Sequence, residues 1–122
     1  MDFNKDQPIY IQLVDLIKMD IISGKMKAAD KLPSIREFAE ETMVNPNTVQ
    51  KAYTELESRG YIFSKRGIGY FVNEDQEFIN NLKVSFLENR IDEFIKDMSN
   101  LDYSKETIIN KIKERLWLDL IM

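Results

Sequence analysis

Cysteine and histidine are both missing from this chain of 122 residues. Their absence excludes disulfides, Cys/His zinc sites, thiol chemistry and any mechanism that uses imidazole as its base. No metal centre or cofactor is therefore expected. Glycine and proline are scarce, at four and three residues. No apolar run approaches the ~18 residues that span a bilayer. The opening MDFNKDQ lacks the basic-then-apolar pattern of a signal peptide, so a cytoplasmic protein without membrane attachment is expected.

What is there is ordinary for a globular chain, with 43% hydrophobic and 31% charged residues. The length allows one domain, or one domain with a small appendage. Seventeen basic and 21 acidic side chains leave a net charge of −4, which taken whole argues against a nucleic-acid partner. Divided after Val72, the balance changes meaning. Residues 1–72 carry ten bases and ten acids, whereas residues 73–122 carry seven bases and eleven acids. Every glycine and proline also falls before position 72. The first region is short punctuated elements, and the second is long helical pattern.

Along the first region, Pro8 suits a first helical turn. After it, Ile9, Leu13, Leu16, Ile17 and Ile21 recur at helical spacing until Gly24, which predicts a helix over 8–23. A connector from Lys25 to Leu32 follows, with Lys31-Leu32 as a very short strand. Ser34 and Glu37 form a capping box ahead of the apolar Ile35, Phe38 and Ala39, and this second helix ends near Thr42. A turn of about three residues leads to Asn45 as N-cap and Pro46 in the first turn of a third helix. Its buried face is Val49, Ala52, Tyr53 and Leu56, and Gly60 stops it. Two capped helices across a tight turn outline a helix-turn-helix. The β-rich runs 61–64 and 70–72 flank Lys65-Arg66-Gly67-Ile68-Gly69, which predicts a hairpin with a basic tip. The fold class read from this order is α+β, mostly α. A winged helix-turn-helix occupies residues 1–72, and a two-helix hairpin follows over 73–122.

That tail reads as one helix over about 75–98, a break at 100–103, and a second helix capped by Ser104. Phe78, Leu82, Phe86, Ile91 and Phe94 line the first, and Ile109, Ile112, Leu116, Trp117 and Leu120 the second. Two helices are too few to bury both stripes, so they need the winged domain, another copy of the chain, or both. The carboxylates Asp92, Glu93 and Asp97 have no convergent base or nucleophile beside them, so no enzyme is expected.

The stretch from Pro8 to Val72 resembles the DNA-binding domain of the GntR family of bacterial transcription regulators. Three segments carry the resemblance in order and spacing: LPSIREFA into helix two, VNPNTVQKAYTELESRG across helix three, and RGIGYFV on the wing. The short helical remainder is similar to the YtrA subfamily, whose tail is implied to dimerise. Three positions depart from the family pattern. Ala28-Ala29 stands where Pro-Gly is usual, Met43 where the turn usually has Gly, and Tyr70 where Thr is commoner. If Met43 takes a positive φ, its backbone is mildly strained.

The resemblance implies a double-stranded DNA operator as partner. Arg36 would read guanine or clamp phosphate, because its planar fork matches guanine O6 and N7. Ser34 and Thr48 place short hydroxyls at helix starts, where free N–H groups favour phosphate. Asn45, Asn47, Gln50 and Lys51 face outward on helix three; Asn47 and Gln50 suit adenine, and Lys51 suits phosphate. Lys65, Arg66 and Gly67 at the wing tip would reach the adjacent minor groove. Tyr53 is open to two readings, a phosphate contact or packing.

A homodimer is expected, with the tail stripes as its seam, because one recognition helix reads only a few base pairs. On family analogy, the chain would repress a transporter operon from a palindromic operator. A small-molecule effector, bound between the tail and the winged domain, would release it. The rival reading is a winged-helix module that binds protein through the same surface.

Overall fold

The computed structural model describes residues 3–121; Met1, Asp2 and Met122, the ends of the two predicted regions, lie outside them. The elements run α1 (Ile9–Ile22), α2 (Ile35–Thr42), α3 (Pro46–Ser58), β1 (Ile62–Lys65), β2 (Gly69–Val72), α4 (Gln76–Asn100) and α5 (Lys105–Ile121). This is a winged helix-turn-helix followed by a helical tail. The chain forms two compact units, Met1–Lys83 and Val84–Met122.

In the first unit, Pro8 occupies the N-cap of α1, with Ile11 and Gln12 N–H bonded to its carbonyl. The helix buries Leu13, Val14, Ile17, Ile21 and Ile22. Ile9 and Leu16, which share the predicted stripe, stay substantially exposed. The buried face is thus rotated slightly toward Val14 and Ile22. On α3 the predicted face is the one observed: Val49, Ala52, Tyr53 and Leu56 are completely buried. They meet Leu13, Val14 and Ile17 of α1, Ala39 of α2, and Ile62 and Val72 of the hairpin in one core.

The hairpin is antiparallel, with Ile62 opposite Val72 and Lys65 opposite Gly69. The connector before α2 adds a further rung to it. Lys31 bridges Phe71, Leu32 N–H donates to Tyr70 C=O at 2.9 Å, and Val72 N–H donates to Asp30 C=O at 2.8 Å. Ala29 completes this crossing at φ 68, where the residue type usual in the family would be unstrained.

The first unit extends past Val72, where glycine and proline punctuation ends, to Lys83. Asp75 caps α4 by accepting from Glu77 and Phe78 N–H. The helix then buries Ile79 in the winged core, and Leu82 packs against that core. Phe78 lies so close to Gly60 that a Cβ there would sit 3.1 Å from its ring. The opening turns of α4 therefore complete the winged unit. Phe78 and Leu82, assigned from sequence to the seam, lie within this first unit.

Within the second unit, α4 ends in a turn with Asp102 at φ 62. Ser104 Oγ accepts from Thr107 N–H at 3.1 Å and starts α5. None of the described residues of this unit is buried.

Candidate nucleic-acid interface

Two local signals set the start of α2. Ser34 Oγ accepts from Glu37 N–H, and Glu37 Oε1 accepts from Ser34 N–H, each at 3.1 Å. The bond from Ser34 N–H holds the Glu37 carboxyl below its ordinary value of 4.5. The reciprocal cap leaves the Ser34 hydroxyl hydrogen free to donate outward. Arg36 follows in the first turn with its side chain 90% exposed, and its ion pair to Glu40 is a long 3.7 Å. A pair so exposed and so long holds the guanidinium weakly.

The turn into α3 passes through Met43 in the left-handed region, φ 57 and ψ 37. Its amide donates to Ala39 C=O, which ends α2 sharply. Its side chain is 93% exposed. Asn45 then caps α3, its side-chain oxygen accepting from Asn47 N–H at 2.8 Å. Along the first turns, Asn47, Gln50 and Lys51 are exposed and Thr48 is half-buried. Gln50 Nε2 makes a loose 3.4 Å bond to Thr54. The Lys51 ammonium sits 4.0 Å from the centre of the Tyr10 ring, a partner from α1 that spacing could not reveal.

The acids of α3 lie at its other end and are occupied. Glu55 pairs with Arg59 at 2.8 Å, and Glu57 accepts from Ser64 N–H and Oγ. The N-terminal half of α3 therefore presents amides, hydroxyls and one ammonium with no carboxylate among them.

Tyr53 settles on packing. It is completely buried, and its hydroxyl donates to Pro33 C=O at 2.7 Å. Its ring meets Tyr70 edge-on at 5.0 Å and Phe38 at 6.0 Å. Burial pushes its phenol far above the ordinary range. The bond fixes the residue before Ser34, so it sets the start of α2 against α3.

On the wing, Lys65 reaches over the stacked Phe63 and Phe71, its ammonium 4.8 Å from the Phe71 ring centre. Arg66 is exposed, and Gly67 turns at φ 78 with open space around it. Ten candidates, Ser34 and Arg36 on α2, Asn45, Asn47, Thr48, Gln50 and Lys51 on α3, and Lys65, Arg66 and Gly67 on the wing, thus sit unburied on one compact unit. Sequence reading missed Lys31, which the connector bridge delivers to the wing. Among the described residues no acidic cluster could hold a metal, and no helix is long and apolar enough to cross a membrane.

Residues 9–72, more than half of the chain, match the family described as bacterial regulatory proteins, gntR family. The chain belongs to the GntR family. Similarity beyond the winged unit runs to regulators of the same size. The HTH-type transcriptional repressor YtrA of Bacillus subtilis is 36% identical over 93% of this chain and 88% of its own. A GntR family transcriptional regulator from Listeria monocytogenes superposes with a TM-score of 0.87 at 40% identity, covering 92% of this chain and 98% of that one. A second structure, AraR(DBD) in complex with operator ORR3, matches at TM-score 0.53 and 32% identity over 59% of this chain and 84% of that one. As a GntR regulator the chain acts in DNA-binding control of transcription and is not an enzyme.

Proposed function

We propose that the chain is a sequence-specific repressor that works as a homodimer on a palindromic operator. One observation carries this reading: the almost wholly exposed Arg36, held only by a long pair to Glu40, and the carboxylate-free first turns of α3 present donors on the kind of unit that in AraR(DBD) was solved with its operator. Arg36, Asn47 and Gln50 read base edges, while Ser34, Asn45, Thr48 and Lys51 hold phosphates. Lys65, Arg66 and Gly67 enter the flanking minor groove. The protein acts in the cytoplasm, where the chromosome is.

The tail supplies the second half of the proposal. Ile91, Phe94, Ile109, Ile112, Leu116, Trp117 and Leu120 are all exposed in the single chain, with Trp117 at 63%. Phe86 is half-buried with Arg90 over its ring. Pairing two tails covers these side chains and sets half-site centres about one DNA turn apart. A small-molecule effector, by family analogy, releases the dimer from its operator, lowering affinity by ~1–3 kcal/mol of coupling. The regulated genes on the same analogy are a transporter operon.

The test is a gel shift with the DNA upstream of the chain's own gene, across a salt series. The wild type should bind, weakening steeply with salt, and Arg36→Ala should lose binding while its melting curve stays unchanged. A wild type that binds no duplex at any salt overturns the proposal.

A further inference from the structure

Residues paired across an antiparallel ladder share a face, as do residues two apart on one strand. Lys31 pairs with Phe71, Phe63 with Phe71, and Lys65 with Gly69. Those five positions therefore form one face of the wing, opposite the face whose Ile62 and Val72 are buried. Phe63 and Phe71 stack at 5.7 Å as its floor, and the Lys65 ammonium lies over them. Gly69 has no side chain to stand between the two lysines. A Cβ built there would meet Lys31 Cε at 3.2 Å and lie 4.0 Å from its Nζ. The Lys31 stem thus runs across the bare backbone of the residue that faces Lys65.

The Lys31 side chain is thus carried toward the rung that holds Lys65, and among the described residues neither lysine forms an ion pair. Glu37 feels the charge of Lys31, but its carboxylate is bonded to Ser34 N–H. Like charges gathered on neighbouring rungs repel, so the arrangement gains from an anion between them. A phosphate oxygen meets both ammonium groups and the open glycine backbone at once.

We propose that Lys31 and Lys65, on either side of bare Gly69, hold the DNA backbone phosphate that borders the minor groove entered by the wing tip, a contact that rests on the DNA-binding reading above. It positions the wing without reading sequence. The test uses the full chain and two probes: a duplex selected from a random-sequence library and an unrelated duplex of equal length. Anisotropy titrations over a salt series compare wild type, Lys31→Gln and Lys31→Arg. Lys31→Gln should weaken both duplexes by the same factor and make the slope of log affinity against log salt shallower by about one. Lys31→Arg should restore the slope. Unchanged affinity and slope in Lys31→Gln, with wild type binding normally, overturns the role of Lys31 alone. A loss confined to the selected duplex overturns it too, because that is the mark of base reading. A wild type that binds neither duplex removes the DNA reading and this proposal together.

Discussion

The two units carry similar apolar stripes and do opposite things with them. In the winged unit, α1 and α3 turn their stripes toward each other, and Leu13, Val49, Tyr53 and Leu56 have no exposed surface. In the tail, α5 buries nothing at all, and Leu120 is 79% exposed. A three-helix unit with a hairpin encloses a core, whereas two helices cannot close around their own seam. The contrast divides the labour. The first half buries its stripes within the single chain and can hold side chains in fixed places, while the second half leaves its stripes uncovered.

The sharpest way to break this contrast is to make the same change on both sides. Leu13→Ala should destabilise the winged unit by about 2–5 kcal/mol in urea unfolding, because a cavity opens in a closed core. Leu120→Ala should leave that unit's transition where it is. Equal effects at both sites would remove the distinction.

A smaller effect is expected at Tyr53. Tyr53→Phe keeps the ring but strands the Pro33 carbonyl, at a cost of about 1–3 kcal/mol. Because that bond fixes the start of α2, DNA affinity should fall along with the melting temperature. A variant that melts earlier yet binds DNA unchanged would show that Tyr53 only packs.

Met43 runs the other way. A residue with a Cβ in the left-handed region is strained, and its side chain is almost wholly exposed, so Met43→Gly should stabilise by about 0.5–1 kcal/mol. Thermal unfolding checks the sign. The strain was legible in the sequence as a condition, since Met stands where the family keeps Gly, and the observed φ of 57 meets it.

Legibility followed distance along the chain. The Ser34/Glu37 cap, the Asn45 cap and the buried face of α3 depend on spacings of a few residues, and each is where the pattern put it. The Tyr53 bond to Pro33 spans 20 residues, and the approach of Lys31 to Gly69 depends on strand register. No local pattern encodes either. The first unit's reach to Lys83 was hidden for the same reason. Glycine and proline stop at Val72, but burial of Ile79 is a tertiary contact.

The smallest predicted effect is on pH dependence. In the fold the bond from Ser34 N–H holds the Glu37 carboxyl below its ordinary value. A depressed folded value means its contribution is present above the unfolded pKa and is lost as pH falls through the folded one. The stability gap between wild type and Glu37→Gln should therefore narrow as the solution is acidified through the ordinary carboxylate range. Melting curves across that range check it; a gap that widens on acidification would reverse the assignment.

The central claim, that a second copy completes what the tail leaves open, is tested most directly by mass. Light scattering on the eluting wild-type chain should give twice 14.4 kDa, and Leu116→Asp should give 14.4 kDa with the winged unit still folded. A wild type that elutes at 14.4 kDa, at the concentrations where it occupies DNA, would contradict the account.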